Sequence, residues 1–135
     1  MITTPLNRTT TSSQQNDPTA SDALECLQKS DNHFQKMEYY KSHLAAEKGL
    51  CAQGFIDPNT RARLYLCNAA ALINLERFEA ALKAAKEGLC VQGLNDPTIQ
   101  AELFEHQISA HMNLNNYSKV YRHQFLQHKI ALNFS

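Results

Sequence analysis

Four cysteines and six histidines are the side chains of this 135-residue chain best suited to act as nucleophiles or metal ligands. A thiol nucleophile needs a neighbouring base and a group to orient that base. The cysteines are Cys26, Cys51, Cys67 and Cys90, and on the helix arrangement derived below Cys67 and His106 lie on adjacent first helices, which allows proximity. A juxtaposition of that kind is expected by chance where cysteines and histidines recur. A zinc site needs three or four converging ligands. His106 with His111, and His123 with His128, stand five residues apart, whereas residues three or four apart share a helical face. His33 and His111 occupy the repeat position that Leu72 fills, which predicts interior packing with one hydrogen bond. The spacing offers no Cys-x-x-Cys pair, no phosphate-binding glycine loop and no paired-carboxylate signature. No catalytic residue, metal or cofactor is expected.

Charge excludes further classes. Thirteen basic residues balance thirteen acidic ones, with a pI near 7.0, whereas nucleic-acid binding wants a basic stripe. Arg61, Arg63 and Arg77 are spread among glutamates and read as an ion-paired exterior. No apolar run resembles a signal peptide or a membrane span. Widely spaced cysteines argue against a disulfide framework and favour a reducing cytoplasm. Cys51 and Cys90 are expected to pack as small hydrophobes.

The elements that would position these residues follow from an internal repeat. Ala46 to Pro58 (AEKGLCAQGFIDP) returns 39 residues later as Ala85 to Pro97 (AKEGLCVQGLNDP). About 14 of 31 positions from Ala45 to Leu75 are identical one period on. A fixed period of this size signals stacked units, each too small to bury its own apolar face. Leu64, Ala69, Leu72, Ile73, Ala81, Leu82, Ala85 and Leu89 recur at helical spacing. The pattern predicts six helices in three antiparallel pairs, over 22–35 and 38–53, 58–74 and 78–92, and 97–113 and 117–132.

Local signals fix the ends. Asp57-Pro58 and Asp96-Pro97 place a capping carboxylate before a proline at the first helical position. Gly54 and Gly93 stand where a left-handed cap is expected, followed by Phe55 or Leu94 to fold back on the helix. Asp22 with Glu25 resembles a capping box. Short turns at Lys36-Met37-Glu38, Leu75-Glu76-Arg77 and Leu114-Asn115-Asn116 each precede an aromatic: Tyr39, Phe78 and Tyr117. Small residues in the second helices allow close approach. Residues 117–132, apolar at Val120, Tyr121, Phe125 and Ile130 and polar between them, read as a capping helix. Residues 1–20 are Thr/Ser-rich and unperiodic and read as a disordered tail.

These residues resemble the tetratricopeptide repeat family. The match is strongest over Asn68-Ala-Ala-Ala-Leu-Ile-Asn-Leu-Glu-Arg-Phe-Glu-Ala-Ala-Leu82, where Ala69, Leu72, Phe78 and Ala81 supply the packing pattern. The resemblance implies an all-α, right-handed superhelix of three helical hairpins, with repeats over about 21–56, 57–95 and 96–134. The period of 39 is longer than the family's usual one. The chain is also similar to heat-shock co-chaperone domains of that family, which grip a carboxylate with Lys, Asn and Arg. The corresponding positions here hold Leu27, Asp31, Cys67, Glu102 and His106. A carboxylate needs convergent donors and positive charge, so no ordinary clamp is expected.

The first helix of each pair should line a concave face. The candidates are Gln28, Asp31, Gln35, Arg63, Cys67, Asn74, Glu102, His106, Ser109 and Asn113. The strip is polar, slightly acidic toward the third repeat and without aromatic anchors. The expected function is non-enzymatic: an adaptor or co-chaperone-like module docking a partner peptide or helix. A secretion chaperone holding an export substrate is the alternative, and a thiol- or metal-dependent enzyme is a third. Three repeats make a short groove, so a homodimer is compatible with the reading.

Overall fold

The computed structural model describes the backbone of residues 20–134 and the side chains of residues 22–115. Residues 1–19 of the expected polar tail lie outside the described residues, as do the side chains of the expected capping helix, while Ala20, the last residue assigned to that tail, already belongs to a helix. The described chain is all-helical, with no strand. Its helices are α1 (Ala20–Gln35), α2 (Tyr39–Leu50), α3 (Pro58–Asn74), α4 (Phe78–Leu89) and α5 (Pro97–Phe134). α1 and α2 form one hairpin and α3 and α4 a second. α2 also packs on α3, and α4 on α5, while the leading helices α1, α3 and α5 touch in succession.

Both hairpin turns are closed by the same device. Met37 and Glu76 adopt left-handed φ angles of 62° and 60°. Around Met37, its N–H donates to the Phe34 carbonyl at 2.9 Å and that of Glu38 to the His33 carbonyl at 2.8 Å. Around Glu76, its N–H reaches the Ile73 carbonyl at 2.9 Å and that of Arg77 the Leu72 carbonyl at 2.8 Å. These paired bonds satisfy the orphan carbonyls at a helix end. Phe34 and Tyr39 then meet edge-to-face across the first turn, with ring centroids 5.3 Å apart.

The proline-led starts are as the residues dictate. The Asp57 carboxylate accepts from the Thr60 N–H at 3.1 Å, and that of Asp96 from the Thr98 N–H at 2.9 Å. Four expectations at helix ends need correction. Asp22 is no cap, because α1 already begins at Ala20. α2 and α4 end at Leu50 and Leu89, not at Gln53 and Gln92, so Gly54 and Gly93 lie beyond the helices as left-handed loop residues. Phe55 does not fold back and is 80% exposed. Cys51 and Cys90 are the residues just past those helix ends, and both face solvent instead of packing.

The largest departure is in the third pair. Residues 97–134 form one 38-residue helix, not two joined at Leu114-Asn115-Asn116. Turn chemistry does not explain this, since asparagine tolerates a left-handed φ better than Met37 or Glu76. The helix contacts within the hairpins do. Ser30 and Ser42 lie at the centre of the first hairpin, and each hydroxyl donates to the other's backbone carbonyl at 2.8 Å. The second hairpin has Ala69 and Ala81 at those positions, both fully buried. The third period puts Ile108 and Val120 there. Two β-branched residues do not fit a gap sized for paired alanines.

The core is small and repeats in kind. Ala62, Leu66, Ile99 and Leu103 join α3 to α5. Ala69, Leu72, Ala81, Ala84, Ala85 and Ala110 join α3, α4 and α5. Two glycines set the closest crossings. A Cβ on Gly49 would stand 2.8 Å from Leu64 Cδ2 and 3.0 Å from Cys26 Cβ; one on Gly88 would stand 2.8 Å from Leu103 Cδ2 and 2.9 Å from Tyr65 Cβ. A buried polar pair bridges the hairpins, where His43 Nδ1 and Asn68 Oδ1 are 2.6 Å apart. With Oδ1 as acceptor, the imidazole proton sits on Nδ1.

Candidate functional site

The three leading helices bound a groove of about 470 Å³. α1 contributes Leu27, Gln28, Asp31, Phe34 and Gln35; α3 contributes Arg63, Leu66, Cys67 and Ala70; α5 contributes Glu102 and His106. Each set follows from helical spacing, since residues three, four and seven apart share a face. Seven of the ten expected groove residues are brought together here: Gln28, Asp31, Gln35, Arg63, Cys67, Glu102 and His106. All five positions aligned with the carboxylate clamp line the same groove. Ser109 and Asn113 line a separate shallow depression on α5, with Glu105, Ile108 and Met112. Asn74 is exposed at the end of α3, and its side-chain amide donates to the Ala70 carbonyl at 2.9 Å.

The groove is less polar than its sequence strip suggested. Leu27, Phe34, Leu66 and Ala70 form an apolar floor, and Phe34 supplies an aromatic wall where none was expected. The missed residues follow the same helical face as the polar candidates: Leu27 and Phe34 flank Asp31, and Leu66 and Ala70 flank Cys67. The rim is charged. Asp31 and Glu102 give it an acidic character and Arg63 adds one cation; all three are exposed.

The groove's side chains are held in definite states. His106 Nδ1 lies 2.7 Å from the Glu102 carbonyl oxygen. A carbonyl only accepts, so Nδ1 carries the proton and a neutral ring leaves Nε2 as an acceptor. Burial pushes the Cys67 thiol up to about 11, with the Asp31 carboxylate adding to the rise and a hydrogen bond with Ser30 opposing it. The protonated thiol therefore predominates at neutral pH and acts as part of the wall.

Other histidines are placed differently. His33 is half-buried and meets Glu38 Oε1 at 2.7 Å, a contact that lowers the Glu38 carboxyl below its ordinary value. His111 was expected inside and is exposed, because no second helix covers that turn of α5. Among the described residues no three His, Cys, Asp or Glu side chains converge as metal ligands would, and no helix is long and apolar enough to cross a membrane. Comparisons with protein-family models, with curated proteins and with solved structures found no match for this chain.

Proposed function

We propose that this chain is a non-catalytic interaction module of tetratricopeptide-like design, which holds a peptide segment of a partner protein in the groove between α1, α3 and α5. The observation that carries this reading is the combination of an apolar floor with an acidic rim in one preformed cleft. A volume of about 470 Å³ suits a few side chains rather than a folded domain. Leu27, Phe34, Leu66 and Ala70 would take an apolar anchor, while Asp31 and Glu102 would attract Lys or Arg beside it. Buried apolar anchors supply most of the affinity in such contacts, and rim charges mainly set specificity and on-rate. The acidic rim also argues against capture of a C-terminal carboxylate, which Asp31 and Glu102 would repel.

The protonated state of Cys67 supports a binding role over a thiol-dependent one. The contact of leading helices with one another, and of trailing helices with the next hairpin, supports reading the chain as a short helical-repeat array. The test is fluorescence anisotropy with labelled peptides carrying one Leu or Phe flanked by Lys/Arg or by Asp/Glu. The basic-flanked peptide is expected to bind at least tenfold tighter, and Glu102→Lys is expected to narrow or reverse that preference. Equal affinity for both peptides, unchanged by Glu102→Lys, would remove the proposal.

A further inference from the structure

The groove between α1, α3 and α5 has an order across it as well as a composition. α3 packs on both α1 and α5, whereas among the described residues α1 and α5 do not touch each other. The three helices therefore stand side by side with α3 in the middle. A segment crossing them meets the Asp31 carboxylate on α1, the apolar floor of Leu66 and Ala70 on α3, and the Glu102 carboxylate on α5. The Cys67 thiol on α3 feels the charges of both Asp31 and Glu102, and that of Arg63, so the two carboxylates approach the floor from opposite walls. The chemical order is acid, apolar, acid. The rim keeps a net negative sign, since Arg63 sets one cation against two carboxylates.

Building on the reading of this groove as a peptide site, we infer that its ligand is a polyproline-II segment whose apolar anchor has an arginine three residues away on each side. The spacing follows from two periods that match. Packed helices stand about 8–10 Å apart, axis to axis. A polyproline-II chain has three residues per turn and rises about 3.1 Å per residue, so side chains three apart share one edge at a separation of about 9 Å. Every third side chain then meets the next helix: arginine on Asp31, the anchor on the α3 floor, arginine on Glu102. A β-strand does not supply this register, because residues three apart point to opposite faces. An α-helix is about 10 Å across and rises about 1.5 Å per residue, a body that a cleft of about 470 Å³ does not enclose. Arginine suits the α5 wall better than lysine. His106 Nε2 is an acceptor one helical turn from Glu102, and a guanidinium spreads its donors over three nitrogens where an ammonium has one. A polyproline-II backbone makes no hydrogen bonds of its own, and the exposed Gln28, Gln35 and Arg63 side chains stand at the rim to meet it.

The experiment is fluorescence anisotropy of the full chain with labelled peptides of one composition. Each has a central Leu and two Arg residues placed two, three or four positions from it on both sides. The spacing of three is expected to bind at least fivefold tighter than either neighbour. Proline at two intervening positions, as in Arg-Ala-Pro-Leu-Ala-Pro-Arg, is expected to tighten it further, because proline pre-sets the bound conformation. With peptides that keep a single Arg, Asp31→Asn is expected to weaken binding of one and Glu102→Gln of the other, since each wall serves one arginine. Both variants are expected to keep their helical circular dichroism, because both positions are exposed. Equal affinity across the three spacings would overturn the inference. So would loss of binding on adding the prolines, or tightest binding by a peptide with its Arg residues seven positions from Leu, the mark of a helix. In each of those cases the groove reading stands as long as basic-flanked peptides outbind acidic-flanked ones; if they do not, both fall together.

Discussion

Among the side chains with the most chemical potential, burial and local contacts decide the state. Cys67 is the clearest case. Its thiol is shifted up to about 11, first by burial and then by the carboxylate of Asp31. An acid whose folded pKa is raised favours folding while protonated, and that contribution falls away as pH rises from its ordinary value toward the shifted one. Iodoacetamide should therefore modify the exposed Cys51 and Cys90 at pH 8 while Cys67 stays largely unmodified, its rate climbing only toward pH 11. Mass spectrometry of the labelled peptides reads this directly, and rapid labelling of Cys67 at pH 8 would show an accessible thiolate instead. Sequence alone located Cys67 and His106 in the groove, because a repeat maps one helix face onto the next. It did not give their state, which depends on burial and on the backbone carbonyl that fixes His106. Cys51 and Cys90 were misread for a related reason: their identity at one repeat position suggested packing, whereas that position lies just past the end of a helix.

At the scale of elements, the repeat was legible wherever residue type and backbone demand coincide. Asp-Pro starts and short turns located four of the helices to within a few residues at most ends. Gly49 and Gly88 carry information that periodicity alone does not, because they mark where helix backbones cross closest. Gly88→Ala should destabilise the chain by about 1–3 kcal/mol, the usual cost of forcing a methyl group into a packed contact. The Tyr65 Cβ that it meets at 2.9 Å is fixed to the α3 backbone and cannot swing away. Urea unfolding would measure the change, and a neutral result would show that the α3–α4 crossing opens easily. The third pair was illegible because the turn residues were weighed and the helix contact was not. Asn115 and Asn116 are good turn formers, yet Ile108 and Val120 occupy positions that Ser30–Ser42 and Ala69–Ala81 keep small. Pair size across the contact, read one period at a time, was the available signal.

The described residues form two closed hairpins followed by a long helix, and the three leading helices frame one cleft. That cleft was anticipated in place but not in character. The polar strip was visible as helix-face residues, whereas the floor of Leu27, Phe34, Leu66 and Ala70 emerges only when α1, α3 and α5 are set side by side. The account rests on this floor being the surface a partner touches. The most direct measurement is a methyl-resolved NMR titration of the full chain with a peptide carrying one Leu or Phe between Lys or Arg residues. The methyl signals of Leu27, Leu66 and Ala70 are expected to shift together and saturably, while those of Leu24 and Leu44 on the exterior stay in place. Shifts confined to the exterior, or none across the titration, would contradict it.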